Sequence, residues 1–182
     1  MEATKDAEIF LNLALSLIHP DLFQCGVLML RKLQALKTTK SIASEWQSVY
    51  TGIQIISNHL IPPHHDSKGR PEWFDILASY CGGGSIPHLL VQDLGLELDY
   101  ASGTVVGLCG TIFEHGVRAL GGGDRVCYAH FMREAVHDWL EVHPASWVNQ
   151  ELYGRYLPEA ITILKGFVME TWFGTWAMER LG

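Results

Sequence analysis

His64 and Asp66 stand one residue apart in the stretch Pro62-Pro63-His64-His65-Asp66. On an extended chain, side chains alternate faces with a period of two, so this imidazole and carboxylate leave the same side. One more imidazole from a distant strand would put two nitrogen donors and one oxygen donor on a single face. Such a set can hold a divalent first-row metal and still leave coordination positions open. His115 is placed to be that imidazole, because it follows the apolar run 104–113 and precedes Gly116 and a loop. His65 competes with His64, but only His64 has the one-residue gap to Asp66. His59, His88, His130 and His137 read as structural or solvent-facing.

Arg125 enters ten residues after His115, at the head of the apolar run Val126-Cys127-Tyr128-Ala129. A guanidinium there needs an anionic partner, since burying an isolated charge is expensive. The partner could be Asp124 or another side chain. It could equally be the carboxylate of a small acid, which a guanidinium binds in planar, bidentate fashion. On its own His-x-Asp reads as well as a polar surface loop. The ordered set His64, Asp66, His115 and Arg125 is what points to a metal centre, and two histidines with one carboxylate are the ligand set of non-haem Fe(II) oxygenases.

The elements that must position these residues follow from periodicity and punctuation. Residues 4–18 form a helix with Ile9, Phe10, Leu13 and Leu17 on one stripe. His19-Pro20-Asp21 interrupts it, and a second helix runs over 21–36 with Asp21 as its cap. A short helix over 41–47 follows. From Val49 the chain becomes β-branched and glycine-punctuated. Strands are expected over 49–61, 73–81, 88–92, 94–98, 104–109, 111–115 and 125–131. Helix returns over 132–140, and 158–181 reads as one amphipathic segment with Ile161, Leu164, Val168, Trp172 and Trp176. The fold class is therefore mainly β, a jelly-roll core with flanking N- and C-terminal helices. Residues 1–48 are a helical region, 49–140 the core and 141–182 a helical extension of one compact domain.

Composition bounds the functions. Apolar residues make up 48% and charged residues 18% of the 182, a globular balance. The four cysteines lack paired spacing and read as reduced thiols of an intracellular protein, not a zinc cluster. The opening Met1 to Glu8 is mixed in charge, unlike a signal peptide, and no apolar run is long enough for a membrane span. The net charge of −7 counts against strong phosphate-driven binding of nucleic acid. Oligomeric state is left open.

The stretches PPHHDSKGRPEWFDIL, SGTVVGLCGTIFEHGV and GDRVCYAHFMREAVHDWL resemble the fungal branch of the TET/JBP-like Fe(II)/2-oxoglutarate-dependent dioxygenases, over roughly Gly52 to Leu140. The resemblance implies a double-stranded β-helix with Fe(II) held by His64, Asp66 and His115. It also implies 2-oxoglutarate on the metal, with its far carboxylate on Arg125. The implied reaction oxidises the methyl group of a base such as 5-methylcytosine in DNA, flipped out of the duplex. Phe131 would then be the aromatic that stacks on that base, and a DNA substrate would point to the nucleus. This chain departs from the pattern at His65, where a basic residue is usual, and at Ser67-Lys68-Gly69, where an asparagine is usual. The same chemistry on a protein or a small molecule fits the acidic balance better. A non-catalytic jelly-roll interaction module is the reading from another class.

Overall fold

The computed structural model describes residues 5–84, 86–118, 123–151, 153–155 and 162. Three helices lead the chain: α1 (Lys5–Ile18), α2 (Pro20–Ala35) and the single turn α3 (Lys40–Ala43). Eight strands follow: β1 (Gly52–Ser57), β2 (Ile61–His64), β3 (Asp75–Gly82), β4 (His88–Val91), β5 (Leu96–Asp99), β6 (Val105–Leu108), β7 (His115–Arg118) and β8 (Asp124–Phe131). A short α4 (Glu134–Trp139) closes this part. The strands form two antiparallel four-stranded sheets, ordered β1-β8-β3-β6 and β2-β7-β4-β5. The protein is mainly β, as its sequence indicates. Among the described residues no helix is long and apolar enough to cross a membrane.

Strand alternation divides the interior into two parts. On the outer face of the first sheet, Ile76 and Ala78 pack with Leu15, Leu22 and Phe23 of the helices, and with Trp73 and Met132. Between the sheets, Leu89 and Val117 from the second meet Cys127 from the first, with Tyr100 between them. The inner layer is thin because much of the space there is cavity.

Several local expectations are corrected. The buried face of α1 carries Glu8, Leu11, Asn12 and Leu15, whereas Phe10 and Leu17 of the expected stripe are exposed. Polar residues sit inside because each has a partner: Glu8 meets His130, and Asn12 accepts from Val49 N–H (3.0 Å) and donates to the Gln47 carbonyl (2.8 Å). The cap of α2 is His19, whose Nδ1 accepts from Leu22 N–H at 3.2 Å. Asp21 lies inside the first turn and receives Ser146 N–H at 3.0 Å instead. The expected strand over 111–115 is a turn. Ile112 and Phe113 N–H both donate to the Cys109 carbonyl, and β7 begins only at His115. The helix expected over 41–47 is only the turn Lys40–Ala43. The amphipathic segment 158–181 lies outside the described residues, apart from Thr162.

Candidate metal centre

Pairing of β2 with β7 assembles the centre, for it sets His64 directly opposite His115. Their rings lie 4.5 Å apart, centroid to centroid. β2 is an edge strand, which is where Pro62 and Pro63 can sit without leaving a ladder bond unmade. Two residues on, Asp66 N–H donates to the Gly110 carbonyl (2.9 Å) and so turns its carboxylate back toward the rings. The three side chains offer one donor atom each, all within 4.8 Å of one another.

Hydrogen bonds settle which imidazole nitrogens face inward. His64 Nδ1 lies 3.0 Å from the Pro62 carbonyl and His115 Nδ1 lies 3.0 Å from the Phe113 carbonyl. A carbonyl only accepts, so both Nδ1 atoms carry a proton, and in the neutral tautomer of each ring it is Nε2 that keeps the lone pair. Those lone pairs face Asp66: His64 Nε2 is 3.8 Å from Oδ1 and His115 Nε2 is 3.7 Å from Oδ2. Such gaps are too long for hydrogen bonds but are spanned by two metal–ligand bonds of about 2.0–2.2 Å each. Burial holds His115 below the usual imidazole range, which keeps it neutral and able to ligate. His115 is 8% exposed, while His64 and Asp66 are near 40%, so the centre opens on their side.

His64, Asp66 and His115 line a cavity of about 280 Å³ that also takes in Arg125, Tyr100, Asp75, Phe131 and Arg133. The strand β8 supplies Arg125, Cys127, Ala129 and Phe131 to it, every second residue. Arg125 is 5% exposed. Its Nη1 donates to the His59 carbonyl (3.2 Å) and its guanidinium lies 5.5 Å from the Tyr100 ring. Among the described residues, Nε and Nη2 are buried without a hydrogen-bond partner. Asp124 does not answer Arg125. It follows the other face of the strand and accepts from Asn58 Nδ2 at 3.1 Å. Among the described residues Arg125 makes no ion pair.

Of the residues the sequence marks, the structure brings together His64, Asp66, His115, Arg125 and Phe131 around one cavity. His65 and His59 are exposed, and His88 faces Glu97 and Asp99 at 3.4 and 3.5 Å. His130 and His137 are fully buried and structural. Two residues escaped the sequence. Gly110 touches the Asp66 carboxylate so closely that any Cβ there would collide with it, and would stand 3.0 Å from His115 Cε1. Asp75 lines the cavity at the head of β3. Burial, and then the Asp66 charge beside it, push its carboxyl up to about 8, while Arg133 opposes the shift. A lone acid heading an apolar strand was the available signal, the same one that marked Arg125.

No protein-family profile matches the sequence, and no curated protein matches it. Among solved structures the chain is similar to one described as NgTET1 in complex with 5mC DNA. The likeness has a TM-score of 0.46 and 16% sequence identity, and covers 71% of this chain and 49% of that one. This chain thus spans about half the length of the structure it matches.

Proposed function

We propose that the protein is an Fe(II)/2-oxoglutarate-dependent dioxygenase of the TET/JBP-like kind, oxidising a methylated base in DNA. The observation that carries this is Arg125. A buried guanidinium with two unanswered donors shares one cavity with a carboxylate and two imidazoles whose Nδ1 atoms are tied to backbone carbonyls. A dicarboxylic acid answers both features at once, with one end on the metal and the other on the guanidinium. The strand order, 1-8-3-6 facing 2-7-4-5, supports a double-stranded β-helix over 49–140, with 1–48 and 141–182 as its flanks.

When bound, the iron and 2-oxoglutarate supply a two-electron oxidation in which dioxygen is consumed and the acid leaves as succinate and carbon dioxide. The chain's own residues do the holding. The Pro62 and Phe113 carbonyls fix both ring orientations, as second-sphere acceptors commonly do. Leu89, Val117 and Tyr100 keep water from the arginine end, which strengthens its pull on a carboxylate. The net charge of −7 favours one other reading, the same chemistry on a protein or small molecule that carries no phosphates.

The test is anaerobic addition of Fe(II) and 2-oxoglutarate. A weak visible charge-transfer band is expected in the parent and should be absent from His64→Ala. No band in either would remove the enzymatic readings. Mass spectrometry of methylated DNA after aerobic incubation then decides between substrates, and product no higher than in an iron-free control would remove the nucleobase claim.

A further inference from the structure

Away from the metal cavity, the leading helices and the loop into β1 enclose two hollows that the metal-centre chemistry does not use. The first, of about 270 Å³, lies between α1 and α2, with Ile9, Phe23, Leu30 and Val49 in its wall. The second, of about 220 Å³, lies between α2 and α3, with Met29, Leu33, Ile42 and Ala43 in its wall. Leu30, Trp46 and Val49 line both, so the two meet at the Trp46 ring. That ring is fixed, because its Nε1 donates to the Tyr50 carbonyl at 2.8 Å.

Every uncharged polar side chain in these walls already has a main-chain partner. Gln34 Nε2 donates to the Ala43 carbonyl at 3.2 Å, for example, and Thr39 Oγ1 to the Leu33 carbonyl at 2.6 Å. A sugar or a peptide would lose its water there and find few hydrogen bonds in exchange. What the walls offer is apolar surface and one charge. Arg31 follows Val27 at i+4 on the same face of α2, and among the described residues it is the only charged one lining either hollow. Its guanidinium makes no hydrogen bond and no ion pair among those residues. At the far end, Ile42 on α3 is 72% exposed, more than any other large apolar side chain described. A chain laid through both hollows would take that surface out of water.

We propose that the two hollows form one site for an unbranched apolar monocarboxylic acid, of the fatty-acid kind. Its carboxylate pairs with the fork of Arg31 at the mouth of the first hollow. Its tail crosses Leu30 and Trp46 into the second and ends under Ile42. The site is independent of the metal-centre reading, since none of its walls belongs to the cavity of His64, Asp66 and His115.

The experiment is titration calorimetry on the full chain without metal at pH 7.5, with hexanoate, octanoate, decanoate and decylammonium. Affinity should rise by about fourfold for each methylene added from hexanoate to decanoate. Decanoate should bind about tenfold tighter than decylammonium, the effect of one charge-assisted contact. That preference is local to the site, because a chain of net charge −7 attracts the ammonium. Arg31→Gln should bring the two within about threefold of each other. Ile42→Ser should weaken decanoate by about threefold and leave hexanoate unchanged. Arg31 and Ile42 are both exposed, so neither variant threatens the fold. Arg125→Met should bind decanoate as the parent does. Loss of binding in that variant would put the acid in the metal cavity and overturn the assignment. So would equal affinity of the parent for decanoate and decylammonium, no dependence on chain length, or an unchanged preference in Arg31→Gln. A parent that binds none of the acids would overturn it too, whether the hollows are filled by another part of the chain or by nothing.

Discussion

The two faces of β8 each bury a group able to carry positive charge, and they treat it in opposite ways. On the helix side, His130 is 1% exposed and its Nε2 lies 2.9 Å from Glu8 Oε1 on α1. On the cavity side, Arg125 is buried nearly as deeply and among the described residues has no carboxylate, only one backbone carbonyl and the Tyr100 ring. One face supplies its imidazole with a carboxylate from within the fold, at Nε2. The other leaves the answer to something that binds. Stability alone would not retain an arginine in that state, since an unpaired buried charge costs several kcal/mol.

The largest effect that would break this contrast is on co-substrate affinity. Arg125→Ala should weaken 2-oxoglutarate binding by roughly a hundredfold to several thousandfold, the equivalent of about 3–5 kcal/mol for a buried charge pair. Titration of the Fe(II) charge-transfer band against 2-oxoglutarate measures it. An affinity within about threefold of the parent would remove Arg125 from the site.

On the helix side the corresponding loss is one of folding. Glu8→Ala strands His130 in the interior, and should lower unfolding free energy by about 3 kcal/mol in urea denaturation. The metal centre should be untouched, because the pair lies on the opposite face of the sheet. His130→Ala in the Glu8→Ala background should then cost much less than alone, as expected for partners in direct contact.

That pair also shows what could be read from the sequence and what could not. The one-residue gap from His64 to Asp66 was legible because a strand forces it, and Arg125 was legible because a charge opening an apolar strand demands a partner. The buried face of α1 was not legible. Glu8 and Asn12 look like surface residues until partners 122 and 35–37 positions away are in place. Nor was the start of β7, because Thr111-Ile112-Phe113 has strand-like composition while its N–H groups turn back to Cys109. Gly110 matters only through its closeness to Asp66, which no local pattern encodes.

A further buried imidazole sharpens the contrast, since among the described residues no carboxylate pairs with it. His137 stacks on Trp73 at 4.4 Å, and burial pushes it down to about 4. The folded state therefore binds fewer protons than the unfolded chain between pH 4 and the unfolded value near 6.5. Its contribution is fully present above about 6.5 and is lost as pH falls through that window, by up to about 3 kcal/mol in all. Burial lowers His19 in the same direction, so it adds to the loss. Urea midpoints from pH 7.5 down to 4.5 should fall in the parent and fall less steeply in His137→Leu. Equal slopes would mean that His137 is not held neutral.

The smallest effect is the one that separates the two faces most cleanly. Arg125→Met replaces a guanidinium with an apolar chain of similar length in a cavity walled by Leu77, Leu89 and Val117. It removes two buried donors that have no acceptor, and loses one bond to the His59 carbonyl and one ring contact. The balance favours the variant, by about 1 kcal/mol in the metal-free protein, since apolar replacement of a buried charge is often stabilising. His130→Leu, the matching change on the other face, should instead destabilise, because Glu8 would be left buried and unpaired. Adding 2-oxoglutarate with a redox-inert divalent metal should reverse the order of the first pair. Ligand binding raises the parent's melting temperature by mass action, and Arg125→Met has nothing with which to hold the far carboxylate. Thermal melts with and without ligand test this. An Arg125→Met protein less stable than the parent without ligand would mean that the guanidinium is already satisfied within the fold.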